Sequence, residues 1–408
     1  MRGLVAAAVL CCVPTALWQS AAAASWPPLE IVVERARSMA PAVVDAEGQL
    51  GVAHASREGA TVSWLTNPHV EFQVYKNPAT KDLAFQSILA IPIEINGQRP
   101  SRIREADTLA RWKSNARDDA RARAIGFAVA LYGEALAGRA RVELAIKSQA
   151  DARAEADFYT ARVKAGDATV VEQSLAEAEL ARYAQQYTEA LLTLAAIRQQ
   201  LEILTAIPDL TDPPLMSSDP PPLRTATADA LGSKAQGASP TVRALASESS
   251  FWAAVSDRAS RDKNTPLAFL VNFGRTDLGD FQFGGGLAWS FPITQRAQGP
   301  VAIADAASER ARTLRDTIER VAGVQGRRLF EQYDLLRTTI ASLDASGIPA
   351  QERVVDATMS SYKAGKTEFV RVLQARRDLA AARSRRLDLV VLAWQRYGEM
   401  TALLGELP

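Results

Sequence analysis

The chain has 408 residues, 48% of them apolar and 23% charged, with a formal net charge of +1 at pH 7. That length and apolar fraction support a large buried core, and the balanced charge argues against a nucleic-acid surface or a solvating acidic tail. Cys11 and Cys12, the only cysteines, sit in the first 24 residues. Beyond them the chain has no disulfide, thiol nucleophile or cysteine metal site.

Arg2, the apolar run Gly3 to Leu17 and the small residues Ser20 to Ala24 predict a signal peptide over 1–24 and hence export. The run is too short for a stable membrane span, and bulky Leu10 before Cys11 argues against lipid attachment. No later stretch approaches the roughly 20 apolar residues of a membrane helix. Any passage through a bilayer must use strands.

Leu29 to Ala60 reads as a first helix. The period then changes to two: Val70, Phe72 and Val74 alternate with polar residues, and Leu89, Ile91, Ile93 and Ile95 form a second alternating run. Lys76 to Leu83, with its Asn-Pro, is the turn between them. From Ser101 to Ala165 there is no proline and the composition is Ala, Arg, Glu and Leu, so the segment predicts a helical rod of roughly 100 Å. Gly166 ends it. Thr169 to Ala206 predicts an antiparallel return helix with Leu191, Leu194, Leu201 and Leu204 on a repeating seam.

Pro208 to Pro240 carries Pro213-Pro214 and Pro220-Pro221-Pro222, so 208–239 reads as a linker between a first repeat, 25–207, and a second, 240–408. The second repeat restates the order. A helix from Pro240 to Asp262 leads into alternating strands at Leu267 to Phe273 and Phe281 to Pro292. Helix then runs from Val301 to Leu343, is interrupted at Ser346 to Pro349, turns at Gly365 and ends at Leu404, with Val390, Trp394, Tyr397, Thr401 and Leu404 as a seam. Lys164-Ala165-Gly166 returns as Lys363-Ala364-Gly365, and Pro92 returns as Pro292. The chain is a tandem duplication.

Strands with one apolar and one small or polar face fit either an inner sandwich layer or a lipid-facing barrel. Two hairpins so far apart supply too few strands for a sandwich, and four strands cannot close a barrel alone. Closure requires several chains. Val70, Phe72, Ile91, Ile93, Phe269, Val271, Trp289 and Phe291 are the lipid-facing candidates. Trp64, Tyr75, Trp289 and Phe291 suit an interfacial girdle, or else ordinary aromatic packing.

On the duplicated helix-strand-strand-helix-helix plan, Asn67-Pro68, Ile91-Pro92-Ile93 with Phe291-Pro292-Ile293, and the turns Ala165-Gly166 and Ala364-Gly365, the chain resembles the TolC-like outer-membrane efflux proteins of the metal and drug exporter branch. The resemblance implies a mainly α fold with a small β part. It implies a homotrimer, with four strands per chain in a shared barrel of twelve in outer-membrane lipid and a periplasmic tunnel of helices below. The implied partners are a periplasmic adaptor and an inner-membrane transporter of RND type; a type I secretion duct is the variant within the class. A non-channel periplasmic adaptor or scaffold is the competing class, although adaptors carry one helical hairpin rather than two.

The resemblance further implies that the tips gate the tunnel and meet the adaptor, placing Lys164, Gly166, Lys363 and Gly365 at that contact and Tyr362, Arg371 and Gln374 at the constriction. Where the family's best-known member has two aspartates, this chain has Arg371 and Gln374. Arg371 either joins a lumen ring that disfavours cations, with Glu368 and Asp378 as offsets, or pairs with an acid on a neighbouring helix. No catalytic, cofactor-binding or metal-ligating set emerges. His54 and His69 stand alone, and Gly284, Gly285 and Gly286 lack the Lys-Ser or Lys-Thr of a phosphate loop.

Overall fold

The computed structural model describes residues 26–63, 67–76, 83–216, 219, 223, 227–264 and 266–408. The expected signal peptide, both cysteines and Trp64 lie outside the described residues. The first expected helix is two, α1 (Leu29–Met39) and α2 (Pro41–Thr61). Pro41 has no N–H and drives Ala40 into an extended conformation with ψ 135°, so the chain breaks between them.

Strands β1 (His69–Lys76), β2 (Leu83–Ile93), β3 (Leu267–Arg275) and β4 (Phe281–Ala288) form one antiparallel sheet in the order β1-β2-β3-β4. The two hairpins come from different repeats and are joined by β2 and β3, where Leu89 faces Val271 and Ile91 faces Phe269. Directly paired residues share a face, so the register sorts the side chains. Val70, Phe72 and Val74 fall on the same face as Phe85, Leu89, Ile91 and Ile93, then Phe269, Val271 and Phe273, then Phe281, Phe283 and Leu287. The rings of Phe72, Phe85, Phe273 and Phe281 run across all four strands with centroids 5.8 to 6.0 Å apart. The other face carries His69, Glu71, Gln73, Gln86, Asn272, Gln282, Gly284 and Gly286.

Six of the eight lipid-facing candidates lie on the apolar face. Trp289 and Phe291 do not lie on a strand: β4 stops at Ala288, one residue short of the position opposite Leu267, where β3 begins just after Pro266. Both remain exposed in the segment that follows, their rings 4.6 Å apart.

The rod is a single helix, α3 (Gln98–Ala165), of 68 residues and about 100 Å. It returns as α4 (Val170–Thr205). In the second repeat α6 (Pro240–Asp262) precedes the strands, and α7 (Gln298–Ser342), a π turn at Leu343–Gly347, α8 (Ile348–Lys363) and α9 (Phe369–Leu404) follow. Both rods start alike: Gly97 and Ala297 are left-handed, and the side chains of Gln98 and Gln298 accept from the backbone N–H of Asn96 and Arg296 at 3.1 and 2.7 Å. The segment expected to be linker contains a further helix, α5 (Ala228–Ala238), whose Leu231, Gly232 and Ala235 are buried. Gly232 nests on Gly323 and Gly326 of α7, so prolines upstream did not prevent a packed helix here.

The main core lies where α3 meets α9. A Cβ on Gly398 would stand 2.3 Å from the Gly126 carbonyl, one on Gly126 would stand 2.4 Å from that of Gly398, and Gly133 admits the Trp394 ring. The seam of Val390, Trp394, Tyr397, Thr401 and Leu404 is buried throughout. Gly398→Ala is expected to cost about 1–3 kcal/mol by overpacking, read as a lower denaturation midpoint. Gly51→Ala, with nothing within 4 Å, is expected to gain about 0.5–1 kcal/mol instead.

Candidate gate at the helical tips

Each rod ends in a left-handed glycine, Gly166 at φ 81° and Gly365 at φ 69°, where a side chain would be strained. The turns close identically: Gly166 N–H donates to Val163 and Asp167 N–H to Arg162, while Gly365 N–H donates to Tyr362 and Lys366 N–H to Ser361. Lys164, Gly166, Lys363 and Gly365 are all exposed. The return helices differ. Thr169 and Glu172 form a reciprocal capping box on α4, whereas Glu368 opens α9 without a side-chain cap.

Tyr362 ties the two hairpins together. Tyr159 Oη donates to Tyr362 Oη at 2.8 Å, Arg162 Nη1 to the same oxygen at 3.4 Å, and Tyr362 Oη in turn to Glu172 Oε1 at 3.4 Å. Phe369 packs on Tyr159 with centroids 4.3 Å apart and on Tyr362 at 5.8 Å. One side chain of α8 therefore engages α3, α4 and α9. Burial, reinforced by the bond to Tyr362, pushes the Tyr159 hydroxyl far above the usual tyrosine range, so it stays a donor. The Glu172 carboxyl is lowered, chiefly by the Thr169 backbone N–H it accepts. Tyr159, Arg162 and Glu172 escaped the sequence reading because no local pattern links positions so distant in the chain.

Arg371 and Gln374 are exposed one turn apart on α9, opposite buried Val372, Leu373 and Ala375. Gln374 Nε2 donates to Asp378 Oδ1 at 2.9 Å, and Arg371 forms no ion pair among the described residues. Above them α9 gathers the charges of its neighbours. Arg376 meets Glu155 of α3 at 2.7 Å, Arg377 meets Glu179 of α4, and Arg383 meets Glu352 of α8 at 2.6 Å. Burial raises Glu155 despite Arg376. Burial also pushes Glu179 up, but Arg377 and Arg182 outweigh it and hold the carboxyl below its ordinary value.

At the other end, the step from strand to rod is fixed by Arg102, which meets Glu94 at 2.5 Å with both side chains buried, and donates to the Val62 carbonyl at 3.1 Å. Gln98 and Asn96 donate to the carbonyls of Asn264 and Arg261, so the first repeat's exit from the sheet grips the second repeat's entry.

The chain thus combines an apolar-faced sheet with free edges and two helical hairpins whose tips are cross-tied. No protein-family model matches the chain. It is 26% identical over 362 residues to the cobalt-zinc-cadmium resistance protein CzcC of Cupriavidus metallidurans, covering 86% of this chain and 84% of that one. Its fold matches CusC, solved as a transmembrane channel, with a TM-score of 0.76, 12% identity and 96% of each chain covered. It also matches the Campylobacter jejuni CmeC outer membrane channel at TM-score 0.76, 15% identity, and 93% and 86% coverage of the two chains. These likenesses give the chain the fold of the TolC-like outer-membrane efflux proteins.

Because the folded Glu172 is lowered, its contribution to the tip is full above its ordinary value near 4.5 and is lost as the pH falls through the lowered value. Hydrogen exchange at Thr169 to Gln173 is expected to speed up across that acid window, and Glu172→Gln is expected to remove the pH dependence. An unchanged acid profile in Glu172→Gln counts against the tie.

Proposed function

We propose that this chain forms the exit duct of a tripartite efflux assembly. The observation that carries the reading is that both flanks of the chain are unfinished in both of its parts. In the sheet, β1 and β4 are free edges. In the helical part, Val44, Val52, Leu192 and Ile203 stand exposed on α2 and α4 along one flank, with Ile303, Val321, Leu335 and Val354 on α7 and α8 along the other. Unlike flanks meeting head to tail generate a closed ring. β1 and β4 run in opposite directions, so successive copies continue the antiparallel sheet. The family resemblance supports three copies, a shared barrel of twelve strands, and 25–207 and 240–408 as the two efflux repeats.

The exposed tips at Lys164, Gly166, Lys363 and Gly365 are the contact for a periplasmic adaptor, and the inner-membrane transporter, of RND type, supplies the energy. The cobalt-zinc-cadmium relative favours divalent metal cations as the cargo, and an Arg371 ring, which disfavours cations, would have to part before they pass. The duct would pass them without holding them, since His54 and His69 lie far apart, on α2 and β1. Tyr362 latches the closed state, and Arg371 and Gln374 from each copy line the constriction. Exposure of Arg371 without an intrachain ion pair favours that placement over pairing within the protomer.

Purification of the mature chain from outer membranes as a detergent-stable trimer that conducts ions is the expected result; a monomer in the soluble periplasmic fraction refutes the duct. In planar bilayers, Arg371→Asp is expected to shift reversal potentials toward cation selectivity, and an unchanged potential removes Arg371 from the lumen. Tyr362→Phe deletes the shared hydroxyl and is expected to raise the open fraction several-fold, on the order of the 1–3 kcal/mol that buried polar contacts contribute.

A further inference from the structure

Strand β4 ends at Ala288, but its sequence pattern does not. Phe281, Phe283, Gly285 and Leu287 alternate with Gln282, Gly284, Gly286 and Ala288, and Trp289, Ser290 and Phe291 keep that alternation beyond the last pair with β3. Trp289 and Phe291 are exposed there. Two glycines of β4 also lack a reason within the chain. A Cβ on Gly286 would meet nothing within 4 Å, and one on Gly284 would meet only the Asn272 side chain, at 3.8 Å. Glycine weakens a strand unless something lies close over it, so the cover for these two comes from across the open edge.

Closure of the ring fixes where the next copy's β1 meets that edge. His69 faces Ala90, Ala90 faces Leu270 and Leu270 faces Gly286, so a ring without stagger sets Gly286 opposite His69 of the next copy. A barrel needs stagger because its strands tilt. A one-residue slip turns every side chain to the other face, so only even shifts keep the apolar residues together. That leaves Ala288, Ser290 or Pro292 opposite the next His69, a stagger of two, four or six residues per copy. Over three copies and twelve strands, with a rise of about 3.35 Å per residue and strands about 4.8 Å apart, these tilt the strands by roughly 19°, 35° and 46°. The smallest falls well short of the roughly 35–45° of closed barrels. The largest needs Pro292 in the strand, whereas Ile293 N–H turns back to the Phe291 carbonyl at 2.9 Å and ends the extended run. A four-residue shift of the opposite sign leaves only Phe281 and Gln282 of β4 overlapping β1.

We propose that the neighbouring copy extends β4 to Ser290, setting Ser290 opposite its His69, Trp289 opposite its Val70, Gly286 opposite its Gln73 and Gly284 opposite its Tyr75. This rests on the exit-duct reading and its three copies. Trp289 then lies on the lipid-facing side next to Val70, and the neighbour's Gln73 and Tyr75 lie over the two bare glycines, the aromatic ring covering Gly284. The part of β4 that β3 is too short to hold is paired by β1 of the next copy.

Beyond residue 24 the chain has no cysteine, so disulfide trapping of the assembled protein in detergent reads the register directly. His69→Cys is combined with Ala288→Cys, Ser290→Cys or Pro292→Cys and oxidised mildly. Directly opposed Cβ atoms lie about 4.5–5.5 Å apart and diagonal ones roughly 7–8 Å, so the combination with Ser290→Cys is expected to give covalent trimer at least about tenfold faster than the other two. Fastest trapping through Ala288→Cys or Pro292→Cys overturns the register. Should that set fail to assemble, Gln73→Cys with Gly286→Cys reads the same register from mid-strand, and faster trapping of Gln73→Cys with Gly284→Cys overturns it. His69→Cys with Ala90→Cys, partners within one chain, reports that the thiol at position 69 reacts whatever the assembly. If that control closes while the protein runs as a monomer and no pair links copies, the exit duct falls and the register with it. A trimer trapped through another pair leaves the duct standing and removes the register alone.

Discussion

A β-sheet in hydrocarbon tolerates no free edge, because an unpaired backbone N–H or C=O there has no water to turn to. This chain presents such a sheet with a mostly apolar face, interrupted by Ser87 and Arg275, and two open edges, β1 and β4. The rest of the molecule is arranged around that incompleteness. The helices repeat the problem in water, leaving apolar residues on both outer flanks, so a neighbour that completes the sheet also completes the helical wall. Joining the two hairpins through β2 and β3 makes the chain's sheet one continuous piece rather than two loose ones.

Rigidity is concentrated where the wall is thinnest. Along α3 and α9 the glycines Gly126, Gly133 and Gly398 let helices approach until backbone meets backbone, and no larger residue would fit. Toward the tips the glue changes from close packing to charge: Arg376, Arg377 and Arg383 radiate from α9 to α3, α4 and α8. The arginines are partly exposed, but Glu155 and Glu179 are largely buried, so only the Arg383–Glu352 pair can be exchanged with a modest loss.

Much of this was legible in the sequence because duplication and periodicity are local signals. The period-two runs gave the strands, and the recurrence of Lys-Ala-Gly gave both tips to within a residue. What failed was non-local. Strand β4 ends at Ala288 rather than Pro292 because its partner strand β3 starts only at Leu267, after Pro266, and leaves nothing in the strand to pair with Ser290 to Pro292. Helix α5 was hidden in a proline-rich stretch because its reason to fold is the glycine surface of α7, far along the chain. The Tyr362 partners and the buried Arg102–Glu94 pair were invisible for the same reason. Pro41, by contrast, was a local signal of the break at Ala40.

Duplication builds a symmetric wall cheaply, but a symmetric wall has no reason to open at one place. The asymmetry sits in a few residues of the second repeat. Between Gln98 and Gly166 the first rod has one residue more than the second has between Gln298 and Gly365. The second rod instead carries Pro349 and a π turn. On the return helices, the first repeat has the Thr169–Glu172 capping box and the second has an uncapped Glu368 followed by Arg371. Each change stiffens the first hairpin or loosens the second, and Tyr362, on the loose side, reaches across to Tyr159, Arg162 and Glu172 on the stiff one. The Tyr362 contacts thus cross between hairpins that differ in capping and in helix regularity.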